Sequence, residues 1–164
     1  MTTTYEKIAT NTLTTTTASV TFSSISSSYT DLVLIFNGGV NTSNGGLRME
    51  LNSDTGSNYS QTHLAGDGTS ANSARNSNVT QARISSDFSM FDNLNYNSIT
   101  VLNNYSNSTT NKTWLSRNNL ASNGTEAVIG LWRNTAAITS IKLVPSANSF
   151  RSGSTFTLYG IKAE

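Results

Sequence analysis

His63 is the only histidine in the chain and there is no cysteine, so acid–base, nucleophilic or metal chemistry has few residues to draw on. No second His or Cys exists to join His63 at a metal. Counting leaves a Ser-His-acid arrangement open, because serine is abundant, but no Gly-x-Ser-x-Gly nucleophile elbow occurs. Asp54 and Asp67 are the two acids that suggest a glycosidase-type pair. Their settings, Asp54-Thr55-Gly56 and Asp67-Gly68, are those of turn formers. Asp and Asn near Gly also suggest oxygen ligands for calcium, yet the spacing Asp-x-Asp-x-Asp-Gly is missing. The pairs Gly38-Gly39 and Gly45-Gly46 are followed by no Gly-Lys-Ser/Thr, so hairpin turns explain them better than phosphate loops. Asn41, Asn58, Asn104 and Asn123 open glycosylation sequons of the kind expected by chance at this composition. These residues point to a protein without a catalytic site, metal or cofactor.

Binding is the better reading, and aromatics are its first candidates. Trp114, Trp132, Tyr59, Tyr96 and Tyr105 stack on sugar rings if they are exposed. The alternative places Trp114 and Trp132 in a core or a subunit interface, and the strand around Trp132 favours it: Ala127, Ile129 and Leu131 lie on one face, Val128, Gly130 and Trp132 on the other, so both faces are apolar. A second set of candidate partner contacts is Tyr59, His63 and Leu64, with Arg75 and Arg83.

The elements that position these residues are strands. Ser, Thr and Asn make up about 44% of the 164 residues, and charged residues only 12%, against roughly 25% charged in ordinary globular proteins. Thr, Ser and Asn compete with helical hydrogen bonding, which points to an all-β protein with a surface of hydroxyls and amides. A hydrophobic share of 35% and a net charge of +1 argue against general disorder. Ten Lys and Arg are scattered among nine Asp and Glu, with no basic stripe for nucleic acid. No apolar run approaches the ~20 residues needed to span a membrane as a helix, and the N-terminus has no basic-then-apolar signal pattern.

Period-2 alternation and turn residues predict strands at 5–9, 19–24, 30–37, 47–52, 82–88, 97–105, 112–118, 125–133, 137–144 and 155–161. Residues 32–36, Leu-Val-Leu-Ile-Phe, have no polar break, so that strand is expected to be covered on both faces, as a central strand or one at a subunit contact. Residues 53–80 have few apolar anchors beyond Tyr59 and Leu64 and read as a long loop or excursion, the expected interaction segment. Single helical turns are expected at 25–29 and 146–150. About eight to ten short antiparallel strands in one domain over 1–164 predict a β-sandwich of jelly-roll-like topology. Its C-terminal strand, SGSTFTLYGIKAE, is expected to lie inside the sheet system with Phe156 and Leu158 in the core.

TYEKIATNTLTTTTASVTFSSISSSYTDLVLIFN at 4–37 and GSTFTLYGIKA at 153–163 resemble a family of small β-rich virion proteins of tailed bacteriophages. KTWLSRNN after NNYSNSTTN, and AAITSIKLVPSANSFRSGS after a Gly-Leu-Trp strand, extend the resemblance over most of the chain, most loosely at 53–96. The resemblance implies a jelly-roll-like domain of the virion: a capsid decoration (cement or head-knob) protein, or the tip of a tail fibre that recognises a host surface glycan. The chain shows no fibrous shaft or heptad repeat, which favours the decoration protein. Its expected partners are the major capsid protein or other virion proteins and further copies of itself, a trimer being the favoured oligomer.

Overall fold

In the computed structural model, which describes residues 4–42, 44–85, 90–120 and 122–162, fourteen strands follow one another. They are β1 (Tyr5–Thr12), β2 (Val20–Phe22), β3 (Asp31–Gly38), β4 (Asn44–Gly45), β5 (Leu47–Leu51), β6 (Tyr59–Gly66), β7 (Ala71–Val79), β8 (Ala82–Arg83), β9 (Met90–Phe91), β10 (Tyr96–Asn103), β11 (Lys112–Leu120), β12 (Gly124–Trp132), β13 (Ile141–Pro145) and β14 (Thr155–Ile161). Eight form one antiparallel sheet in the order β1-β14-β3-β10-β11-β12-β6-β7, and four form a second in the order β2-β13-β5-β8. β4 and β9 make a small ribbon. The protein is an all-β sandwich. A jelly roll divides eight strands between two sheets, and the unequal sheets here do not confirm that part of the expectation.

Alternation places the packed side chains. Along β11, Lys112, Trp114, Ser116, Asn118 and Leu120 are buried and the residues between them exposed. β10 and β12 alternate in the same sense. The inward face meets Leu47, Met49, Leu51, Ile141 and Leu143 of the smaller sheet in one continuous hydrophobic cluster. Trp114 lies flat over Gly130, directly opposite it in register: a Cβ there would stand 1.9 Å from the indole. Tyr59 stacks on Trp132 at 6.3 Å between centroids and meets Trp114 edge-on at 6.5 Å.

β14 spans Thr155–Ile161 as the alternation predicts, between β1 and β3. Phe156 and Leu158 are fully buried, and Phe156 packs on Phe36 and Phe150. Gly160 admits the Tyr29 ring, 2.3 Å from where a Cβ would stand, so it marks a close neighbour; the bulge in this pair lies across from it, between Lys7 and Ala9.

Two expectations are corrected. Residues 53–80 are not a long loop, since 59–66 and 71–79 pair as the β6–β7 hairpin that ends the large sheet. Its inward side is Tyr59, Gln61, His63 and Ala65 rather than an apolar row, which hides the period. Residues 25–29 and 146–150 form turns, bends and a bridge rather than helical turns. The Tyr105 hydroxyl donates to the Ser26 carbonyl, and Phe150 bridges Thr17 and Val40. Of the strand expected at 82–88, 86–88 lie outside the described residues.

Deletion of residues 155–164 removes the strand that joins β1 to β3. We expect the truncated chain to lose cooperative thermal unfolding by circular dichroism; a cooperative transition would contradict this placement. Gly130→Ala has no room beside Trp114, and we expect a loss of roughly 3 kcal/mol in denaturant unfolding; a loss under about 0.5 kcal/mol would show that the indole moves freely aside.

Candidate functional site

The large sheet packs with one face only. Cross-strand register places its outward residues in rows. One runs Tyr159, Val33, Val101, Leu115, Ile129, Thr62 from β14 to β6. The next runs Thr157, Ile35, Ile99, Arg117, Ala127, Leu64. Ile129 and Leu64 are about as exposed as large apolar residues become, at 58% and 61%, with Leu115 at 41% and Ile35 at 37%. Val33, in the same face, is recessed at 5%.

A polar rim borders these rows. Asn37 donates through its amide to Asn97, which donates to Asn119 at 3.4 Å. Thr10 and Thr157, and Thr12 and Thr155, pair their hydroxyls across β1 and β14 at 3.2 and 3.3 Å. Charges are few: Arg117 within the second row, Lys7 and Arg75 at the two ends of the first, on β1 and β7, and Asp31 in the row beyond, opposite Ile161. Shallow grooves of about 310 and 400 Å³ flank Ile129 and Leu64, the first bounded by Arg75 and the second by Arg117. An apolar centre with a hydroxyl and amide rim is the anatomy of a protein–protein contact.

Two of the seven candidate contact residues lie on this face, Leu64 on β6 and Arg75 on β7. The others point elsewhere. Tyr59, Trp114 and Trp132 are core residues, as are Tyr96 and Tyr105, so the sugar-stacking reading of these aromatics is corrected. Each indole N–H finds an acceptor: Trp114 Nε1 donates to the Arg83 carbonyl at 3.3 Å and Trp132 Nε1 to Asp54 at 2.6 Å. The Tyr59 hydroxyl accepts from the Leu51 N–H and donates to the Asp54 carbonyl, both at 3.0 Å. His63 is buried on the inward side of β6. Arg83 lies half-buried opposite Arg48 in the smaller sheet; burial, and then the Arg83 charge, lower the Arg48 pKa.

The acids do not form a pair. Asp67 accepts from the Thr69 and Ser70 N–H groups and closes the β6–β7 turn. Asp54 precedes β6, accepting from Trp132, the Gly56 N–H and Asn58. The eight residues of β6 separate them, about 26 Å at strand rise, whereas glycosidase carboxylates stand ~5–9.5 Å apart. Among the described residues, no three His, Cys, Asp or Glu side chains gather as a metal site, and no helix is long and apolar enough to cross a membrane.

Polar groups are also buried between the sheets. Lys112 is 1% exposed and donates to the Thr110 and Thr135 carbonyls at 2.6 and 2.9 Å, with burial lowering its pKa. Asn118 donates to the Ile84 carbonyl at 2.6 Å and to Glu126 at 3.2 Å. These contacts fix the smaller sheet and the loops to the inward face. Arg133 ties the far hairpin down through Ser60, the Ser57 carbonyl and Asn78. The outward face was partly legible in advance: Leu32–Phe36 lack a polar break and Ala127, Ile129 and Leu131 line one side of β12, while the register that joins them into rows is tertiary.

No family model matches the chain, and no curated protein matches it. Among solved structures, an alginate lyase variant bound to an alginate tetrasaccharide is similar at a TM-score of 0.36 and 8% identity, over 94% of this chain and 80% of that one.

Burial alone would raise the Asp54 carboxyl, but hydrogen bonds from Trp132, Asn58 and the Gly56 N–H outweigh it and hold the pKa below its ordinary value of 3.8. The stability this anion contributes is therefore present above that value and lost as pH falls through the folded pKa. We expect Asp54→Asn to lower the melting temperature by about 3–6 °C at pH 7, and the gap to close as pH falls through the lowered folded pKa. A gap independent of pH would show that the carboxylate charge contributes nothing.

Proposed function

We propose that this protein is a non-enzymatic structural component of a tailed-bacteriophage virion, a capsid decoration protein that attaches to the outer shell. The observation that carries the reading is the apolar outward face of the large sheet, rimmed by threonines and asparagines, on a scaffold whose tryptophans are both withdrawn into the core. Such a surface serves assembly. The resemblance of the chain's two ends and middle to small virion proteins supplies the setting. The glycan-binding alternative relied on Trp114 and Trp132, and both are core residues.

The mechanism is mechanical. A twisted sheet held by Trp114, Trp132 and Tyr59 deforms little, so contact area added across neighbouring shell subunits resists their separation. With 12% charged residues, such contacts owe little to ion pairs and change little with salt.

Electron microscopy of intact virions labelled with antibody to this chain tests the reading. We expect label on the head, and virions lacking the protein to lose genome at a lower temperature than complete ones. Label confined to the tail, or equal thermal resistance of the two virions, would overturn the capsid role.

A further inference from the structure

The geometry points to a second copy of this chain as the cover of the outward face. Two copies stack their large sheets face to face about a two-fold axis that runs parallel to the strands over the β10–β11 seam. The inference rests on reading this face as an assembly surface, and it names the occupant; the pair then meets the shell with surfaces other than this face.

Complementarity of shape carries the argument. Val101 and Leu115 are neighbours across that seam, and they are the middle two residues of the first row of six. The two-fold reverses the row, setting Leu115 over the partner copy's Val101 position and the protruding Ile129 over the recessed Val33 position. In the second row it sets Leu64, 61% exposed, over the partly covered Thr157 position, and the small Ala127 over the protruding Ile35 position. Protruding residues thus meet small or recessed ones across the contact, as close packing requires.

Area agrees with this. Six strands at about 4.8 Å spacing and seven residues at about 3.3 Å rise give a face of roughly 700 Å² per copy, near the ~800 Å² per partner of a standard interface. Arg117 falls over the Ile99 position, where its stem packs on the isoleucine and its guanidinium reaches the adjacent amide row of Asn37, Asn97 and Asn119. The two-fold sets Lys7 over the Arg75 position at each end of the first row, on the outermost strands, where stacked twisted sheets diverge and leave both cations in water.

Sedimentation equilibrium of the purified chain tests the inference in 0.15 M and 1 M NaCl. We expect a species of twice the 17.5 kDa chain mass, with an association constant insensitive to salt. Ile129→Asp and, separately, Leu64→Asp are expected to weaken it by about thirty-fold or more. Both residues are exposed, so each variant retains cooperative unfolding; two substitutions guard against one that misfolds. Thr21→Asp, on the outer side of β2 in the smaller sheet, leaves association unchanged. A wild-type monomer, a three-copy species, or a dimer indifferent to both face substitutions would overturn the inference. A monomer would leave the virion location untouched, and label on the tail would leave the dimer untouched.

Discussion

Strand side chains alternate between faces, so a sheet that packs with one face must offer the other to its surroundings. This protein builds eight strands into one sheet and covers its inward face with a second. Around the recessed Val33, the outward face is left with Ile35, Ile99, Val101, Leu115, Ile129 and Leu64, residues that ordinarily fill a core. Their cost in water is offset only where something lies over them. The fold's other features serve to hold this surface rigid and in register.

Rigidity comes from the inward side. Gly130 lets the Trp114 indole lie against the backbone of β12, and Tyr59 and Trp132 stack beside it. Asp54 ties the Trp132 N–H to the turn before β6, while Arg133 fastens β6 and the neck of the β6–β7 hairpin to β12. Leu64 and Ile129 are thereby held on adjacent strands. The buried tryptophans, which as exposed rings would have suited sugars, serve here as the packing beneath the outward apolar face.

The sequence made much of this legible where the signal was local. The alternation of Thr155–Ile161 marked β14 to the residue, and the unbroken apolar run at 32–36 marked β3 as an inner strand with apolar side chains on both faces, of which the outward one leaves Ile35 exposed. The β6–β7 hairpin escaped notice because Gln61 and His63 occupy inward positions that a hydrophobic pattern leaves blank, and β7 offers Asn, Ser and Arg at an open edge. Leu64 and Arg75, expected in a loop, lie instead on paired strands with their side chains on the outward face. The rows themselves are a product of register among six strands drawn from the whole chain, which no local pattern encodes.

Hydroxyl-radical footprinting of Leu64, Leu115 and Ile129 measures the cover of this face directly, in the assembled protein and in the same protein dissociated by dilution. The account predicts that these three side chains lose most of their reactivity on assembly, while Thr21 and Pro145 on the smaller sheet, away from this face, keep theirs in the isolated oligomer. Equal oxidation of Leu115 and Ile129 in the two states would show the face open to water and contradict the account.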